Sequence, residues 1–436
     1  MAPNYLESVR EHYEALPYPR RDPADESKRL IQTVGDNLLV ANHFCFRGQR
    51  DFRRGFRCFV AGGGTGDSVI YLAEQLRFFD AEIVYLDLSA ASRAVAEERA
   101  RRRGLTNIRW ITGSIMDIPQ LGLGQFDYIN CSGVLHHLES TEAGLAALNS
   151  VLKDDGAMFL MLYGTYARRE VYDMQELLRN YLPPGLGIAQ KIASSRALLA
   201  NLPATNGFKR NIGMWEWEFG ADGFGDAGFY DLLLHSQDRS FSVAEIYSLA
   251  AGEGLRVAGF PMRGERYDPC KLITDPEVRR QLSLLPVPRQ QALAERISCV
   301  LRTHEFYLTR HSDTAATLDD EGNALLLFWS LLGRQRWLAE RLQPGQPFTY
   351  EDGDRAFTVS GNEICKVLLT CMDGNTPIAT MYERVVAAVP GSSVELARQE
   401  LRRIFDFLHP AGYLYILAPG SHATRLPDYR RSEYVG

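Results

Sequence analysis

Phe56-Arg57-Cys58-Phe59-Val60-Ala61-Gly62-Gly63-Gly64-Thr65-Gly66-Asp67 decides the fold. A short apolar run enters a cluster of glycines, and a helical pattern follows over Ser68 to Phe78. Glycine reaches backbone angles that other residues avoid and lets a ligand approach the main chain. A helix starting there offers unpaired N–H groups and favours a negative group such as a carboxylate. The segment reads as strand, ligand loop and helix.

Outward from this stretch the pattern repeats. EIVYLDL (82–88), NIRWITG (107–113), FDYINCS (126–132) and AMFLMLY (157–163) are further buried strands. Helices lie between them over Ala90 to Arg103, closed by Gly104, and over Glu142 to Leu152. Continuous apolar strands separated by amphipathic helices mean a parallel sheet covered on both faces. The expected fold class is therefore α/β, a doubly wound, mostly parallel, Rossmann-like sheet. Residues 165–240 interrupt the rhythm with a helix near 168–181, Pro183-Pro184 and an aromatic, acidic, glycine-rich stretch. It resumes with a helix over 243–252 capped by Ser242, then LRVAGF (255–260) and LRTHEFYLTR (301–310).

The expected organisation has three parts. Residues 1–50 form a helical cap segment that turns irregular after Pro17, Pro19 and Pro23. Residues 51–312 form the ligand-binding domain, with a lid inserted at about 165–240. Residues 320–436 form a C-terminal α+β accessory domain. In that last part Gly361 to Cys371 and Val394 to Leu408 read as helices, and Thr376 caps a third with Pro377 at its first position. With strand YLYIL (413–417), these resemble a winged-helix module.

The net charge of -6 argues against a general nucleic-acid binder. Residues 360–420 hold five Lys/Arg against six Asp/Glu, which argues against DNA binding by that module. The arginine-rich run Arg99 to Arg103 reads as a solvated helix face. Seven widely spaced cysteines form no CxxC pair and no zinc spacing with histidine, so no metal is expected and the thiols suit a reducing compartment. The N-terminal residues lack the apolar core of a signal peptide, and no run of about 18 apolar residues occurs. The expectation is a cytoplasmic protein with no membrane partner.

The loop's ligand follows by comparison. A phosphate loop needs GxxxxGK, and here Gly66 is followed by Asp67. A dinucleotide fingerprint needs a third glycine where Asp67 stands. A carboxylate there repels a pyrophosphate and suits a ligand with positive charge. S-adenosylmethionine, with an ammonium and a sulfonium, fits better than a dinucleotide, which stays the alternative. Asp87 ends the second strand, where an acid commonly accepts hydrogen bonds from ribose hydroxyls. The alternative is a helix cap through Asp87 or Ser89. Gly113-Ser114-Ile115, Cys131-Ser132-Gly133 and Tyr163 end the next three strands. These strand ends share the sheet edge that forms the ligand crevice.

FVAGGGTG, YLDLS, GSIMDIP and FDYINCSGVLHHL resemble the successive motifs of class I S-adenosylmethionine-dependent methyltransferases, closely over 56–163 and loosely over 240–310. The resemblance implies that Gly62, Gly64 and Gly66, with Gly63 and Asp67 in the same loop, hold the methionine part of the cofactor. Asp87 would bind the ribose beside Leu88. Ser114 and Ile115 would border the adenine, and Cys131 with Ser132 would lie beside the cofactor. The product would be S-adenosylhomocysteine. The chain departs from the family at Val60 and Ser114, where acids are frequent, and Asp67 partly replaces the missing acid. The N-terminal segment loosely resembles the start of bacterial protein-lysine methyltransferases with extra C-terminal domains.

Methyl transfer is an in-line displacement in which alignment supplies much of the rate. His136 and His137 are candidate bases for the acceptor, with Tyr163 beside them. Their alternative role is to orient the loop, which the residues alone favour. Met214-Trp215-Glu216-Trp217-Glu218-Phe219 interleaves aromatics with acids, as a cation site does. Burial there lowers an amine's pKa and frees its lone pair. The alternative is a lid whose rings simply pack. Glu216 and Glu218 are candidate catalytic acids. Trp215, Trp217, His235, Tyr13 and Tyr18 are candidate acceptor-binding residues. The expected function is methyl transfer to an amine, a protein lysine among the choices. Methylation of oxygen, carbon or nitrogen on a small metabolite stays open, as does a cofactor-binding regulator without catalysis. The partner is the methyl acceptor, and a homodimer is kept open.

Overall fold

The strand that enters the glycines, β1 (Arg54–Ala61), sits in the middle of a seven-stranded sheet. The computed structural model describes residues 5–261, 264–343, 346–352 and 355–421. The strand order is β3 (Ile108–Thr112), β2 (Asp80–Asp87), β1, β4 (Phe126–Ser132), β5 (Leu152–Tyr163), β7 (Thr303–Thr309), β6 (Arg256–Gly259). β1 to β5 are mutually parallel, and β7 runs antiparallel to both β5 and β6. From β1 the chain goes to β2 on one side and later to β4 on the other. That reversal opens a crevice beyond the carboxyl ends of β1 and β4.

Strand alternation divides the core. Cys58 and Val60 join one buried cluster with α2 (Leu38–Cys45), α3 (Asp67–Gln75) and α4 (Ala90–Arg103). Phe59 and Ala61 join the other, with α5 (Thr141–Ser150) and the helix Val243–Gly252. α4 ends at Gly104, whose φ of 66° is the left-handed closure that a helix C-terminus favours.

The N-terminal segment is more ordered than its prolines imply. α1 (Tyr5–Ala15) stops before them, but α2 follows and is buried on nearly every side. The Asn37 side chain accepts from Leu39 N–H and caps it. LLVANHFC has no polar stripe, so its helix carries no amphipathic period.

Residues 165–240 are helical. α6 (Arg169–Tyr181) packs with Ile188–Ala200 and Gly225–Leu233 around Met174, Phe208 and Phe229. Leu16 from the segment after α1 packs against the same cluster.

In the C-terminal part β8 (Ala324–Leu327) is the middle strand of an antiparallel sheet. A hairpin of β9 (Pro347–Asp352) and β10 (Arg355–Ser360) follows. β11 (Asp373–Pro377) and β12 (Leu414–Leu417) flank β8. Helices Glu363–Thr370, Ile378–Ala388 and Val394–Leu408 cover it. The cap differs from expectation: Pro377 is the N-cap, and Thr376 lies in β11 with its hydroxyl on Asp373 (3.0 Å). Residues 422–436 of the expected accessory domain lie outside the described residues. The two parts are joined at α2, where His43 Nδ1 accepts the Ile416 N–H (3.2 Å) and Leu326, Phe328 and Tyr415 enter the α2 cluster.

Candidate functional site

The glycine loop is fastened from below and from above. Gly62 and Gly63 N–H both donate to the Leu86 carbonyl (2.7 and 3.1 Å). Gly64 N–H donates to Asp87 Oδ2 (2.7 Å), and Ser89 N–H donates to Asp87 Oδ1 (2.8 Å). Asp87 thus braces the loop and the start of α4, and each oxygen keeps a lone pair for a hydroxyl donor. Burial pushes its carboxyl up to about 6, against the backbone donors that stabilise its charge. Above the loop, the Tyr18 carbonyl accepts from Thr65 N–H (3.3 Å), and the Pro19 carbonyl accepts from the Thr65 hydroxyl (2.7 Å).

Asp67 is placed differently from expectation. Its carboxylate accepts from Arg21 Nη2 (2.6 Å) and Arg99 Nη1 (2.7 Å). Burial pushes this carboxyl up, but the two guanidinium groups outweigh that and hold it below the usual range. Asp67 lines the cavity beside the loop, as expected of a site residue, but its carboxylate is committed to arginines and does not stand in for an acid at Val60. Arg99, read as solvated, is 1% exposed and also binds Glu26 (2.6 Å). Arg103 joins Glu26 too, whereas Arg101 and Arg102 stay exposed on Glu98. Gly66 is a packing residue: a Cβ there would lie 2.8 Å from the Ala96 Cβ of α4.

A cavity of about 810 Å³ opens from this loop. Its first half is walled by Gly62, Gly63, Gly64, Asp87, Leu88, Ser114, Ile115 and Ser132, all expected there. Ser114 also accepts from Met116 N–H (3.1 Å), capping the turn after β3. Cys131 is not on the wall. It is fully buried in the cluster on the opposite sheet face, because neighbouring strand residues point to opposite sides. Asn130 and Ser132 face the cavity instead, and Asn130 Nδ2 donates to the buried Asp36 (2.7 Å).

The second half of the wall is aromatic and charged. It holds Tyr13, Tyr18, His137, Tyr163, Trp215, Trp217 and Glu218, again as expected. Tyr18 hydroxyl donates to Glu218 (3.0 Å), and burial raises the Glu218 carboxyl. His137 Nδ1 donates to the Gln237 carbonyl (2.8 Å), which fixes the ring on the wall. Three expected residues are elsewhere. His136 is fully buried off the wall, stacked on Tyr163 at 3.9 Å, with its pKa pushed well down by burial. Glu216 is exposed on the outer side of its helical turn. His235 is buried behind the wall, stacked on His137 at 3.8 Å.

Four wall residues carry no signal in local sequence. Arg21 reaches the loop from the proline-rich strap, and Asn130 is hidden by alternation. Arg168 lies over the Tyr163 ring, 3.5 Å from its centroid. Asp231, on the helix Gly225–Leu233, accepts from Tyr13 hydroxyl at Oδ1 (2.9 Å) and from Tyr163 hydroxyl at Oδ2 (3.0 Å).

Residues 59–158 match the family model of a methyltransferase domain. An uncharacterized protein of a Synechococcus strain is 34% identical over 257 residues, 58% of this chain. That match spans 60% of the relative's length, less than two thirds. Among solved structures, PKMT2 from Rickettsia typhi aligns over 89% of this chain and 76% of its own, with a TM-score of 0.62 and 14% identity. Its complex with AdoHcy aligns over 88% and 75%, with a TM-score of 0.63. At this identity the likeness is one of fold. The matched segment runs from within β1 to within β5 of the seven-stranded sheet, so the central part of the chain is a methyltransferase domain.

Proposed function

We propose that this chain transfers a methyl group from S-adenosylmethionine to an amine, with a protein lysine side chain as the leading acceptor. The observation that carries the reading is the single cavity that joins the glycine loop to an aromatic chamber containing Glu218 and Asp231. Its volume lies near the upper end for one-ligand sites, room for a cofactor and the tip of an acceptor. The first half fits S-adenosylmethionine by its donor set. Asp87 has lone pairs for two hydroxyls, Ser114 and Ile115 border the base, and the start of α3 beyond the glycine loop favours a carboxylate.

When bound, the cofactor supplies an activated methyl on sulfur. The chain's own residues hold the acceptor in line, exclude water and take up a proton. Rings of Tyr18, Trp217 and Phe224 wall the chamber and suit a cationic head group. Glu218, with its raised carboxyl, suits proton uptake from an ammonium. The fold shared with PKMT2 over most of the chain agrees with the resemblance to bacterial protein-lysine methyltransferases. In this reading the C-terminal part is an accessory domain that contacts the partner.

Methylation of a small acidic metabolite is the second reading. It is favoured by Arg168 and Arg302, which stand on the wall of the same chamber.

Labelled S-adenosylmethionine incubated with the protein and a cell lysate tests the choice. Label in protein bands, surviving as methyl-lysine after hydrolysis, is the expected outcome. Label confined to small molecules overturns the protein-acceptor reading, and no binding of the cofactor by calorimetry overturns the activity.

A further inference from the structure

Asp231 is buried to 3% exposure on the cavity wall. Among the described residues no lysine or arginine forms an ion pair with it. Its two hydrogen bonds come from neutral donors, the hydroxyls of Tyr13 and Tyr163. A buried carboxylate without a cation is costly to maintain, and burial is ordinarily balanced by pairing. His12 stands close, but burial lowers its pKa to about 4, so it is neutral near pH 7.

A metal does not supply the missing charge. His12, Asp231 and His235 bring their ligand atoms within 4.8 Å of one another. Yet His235 Nδ1 accepts the Gln237 N–H (3.0 Å). The neutral ring then carries its proton on Nε2, and neither nitrogen has a lone pair for a metal.

The tyrosines show which way the carboxylate works. Each oxygen accepts one hydroxyl and keeps a lone pair. Tyr13 spans the gap to the cofactor half: its hydroxyl is on Asp231, and its carbonyl accepts from the Ser89 hydroxyl (3.1 Å) just beyond β2. Tyr163 is the last residue of β5, at the crevice edge.

We propose that Asp231 is the ammonium-binding carboxylate of the acceptor site, aimed at the point of methyl transfer, with Tyr13 and Tyr163 as its positioning residues. This rests on the methyltransferase reading above and names the acceptor as a primary amine. The amine enters as ammonium and gives one proton to Asp231. Its lone pair then forms the C–N bond while the methyl–sulfur bond breaks, and sulfur keeps that electron pair as a neutral thioether. The methylated ammonium then gives its extra proton to Glu218 on the same wall, and from there to solvent.

The test needs no identified acceptor. Two probes are titrated by calorimetry: S-adenosylhomocysteine, and a cofactor analogue bearing a primary amine where the sulfonium methyl stands. The wild type should bind the amine analogue about tenfold more tightly, the scale of a hydrogen bond to a charged group. Asp231→Asn should abolish that preference and keep S-adenosylhomocysteine affinity, which also shows that the variant is folded. Tyr163→Phe should shrink the preference several-fold. Equal affinity of the two probes for the wild type overturns the proposal whether or not Asp231→Asn folds. A preference that survives in Asp231→Asn also overturns it. Failure of both probes to bind the wild type overturns the cofactor reading itself, an outcome distinct from the other two.

Discussion

Arg99 Nη1 lies 2.7 Å from Asp67 Oδ1, and this ion pair sits at the base of the glycine loop with Arg99 only 1% exposed. The pair explains why the carboxylate directly after the last loop glycine, although on the cavity wall, is already matched by arginine charge. Arg99 also donates to the Thr65 carbonyl (2.8 Å) and to Glu26 (2.6 Å), so one side chain ties α4, the loop and the N-terminal strap.

Removing Arg99 leaves Asp67 and Glu26 buried without one of their cations. Arg99→Leu should lower unfolding free energy by about 3–5 kcal/mol, the usual cost of breaking a buried pair from one side. Urea unfolding measures this. A change below about 1 kcal/mol would contradict the central role assigned to the pair.

Asp87 predicts opposite pH dependences for stability and for binding. Its folded carboxyl is raised to about 6, above the unfolded value of about 3.9. The folded chain therefore holds this proton to higher pH. The stability from that retained proton is present below about 4 and is lost as pH rises through about 6. If Asp87 binds the ribose as proposed, the hydroxyls need the ionised form as acceptor, so cofactor affinity should weaken as pH falls through 6. If only the ionised form binds, the loss at pH 5 is about tenfold. Calorimetry in the wild type against Asp87→Asn checks it: the variant should bind weakly at every pH, without the step.

Cys131 and Asn130 make a paired test of strand alternation. Cys131→Ala removes a thiol from the far core and should cost about 1 kcal/mol of stability with unchanged cofactor affinity. Asn130→Leu removes the donor to Asp36 and puts an apolar side chain on the wall, so S-adenosylhomocysteine affinity should fall. The reverse result would place the wrong face toward the cofactor.

These differences show what local sequence carries. The strands β1 to β5 are visible because each is an apolar run ended by glycine or polar residues. The boundary of α4 is visible in Ser89 and Gly104, which cap it at both ends. Candidate cofactor residues at strand ends follow from the sheet order, and Asp87, Leu88, Ser114 and Ile115 are all on the cavity wall. Cys131 fails by one position, since a continuously apolar strand conceals which face each residue takes. α2 is hidden for the same reason in helical form. Arg99 and Arg103 look like neighbours of Arg101 and Arg102, but their burial depends on Glu26, more than 70 residues away in sequence. Asp231 and Arg168 reach the site only because the inserted helices fold back on β5, a tertiary event without local pattern.

Glu216 and Glu218 separate surface from site within one turn of helix. Glu216→Gln changes an exposed side chain and should leave stability and methyl transfer within error. Glu218→Gln removes the half-buried acid that Tyr18 contacts, and should lower the transfer rate by about 10²-fold, a typical contribution of a positioned acid or base. Initial rates with labelled cofactor and lysate protein give both numbers. Equal activity of the two variants would remove Glu218 from the chemistry.

Gly64 tests the proposed seat of the cofactor most directly. Its φ is +50°, and a Cβ would lie 2.7 Å from the Tyr18 carbonyl oxygen. That oxygen is main chain and is already engaged by Thr65 N–H, so it cannot swing aside as a flexible side chain would. Gly64→Ala therefore combines left-handed backbone strain, about 1–3 kcal/mol, with displacement of the strap that carries Arg21. S-adenosylhomocysteine affinity should drop by about tenfold or more, while Gly104→Ala, left-handed but open on its Cβ side, should cost stability alone. If both variants bind like the wild type, the strap does not close over the loop in solution.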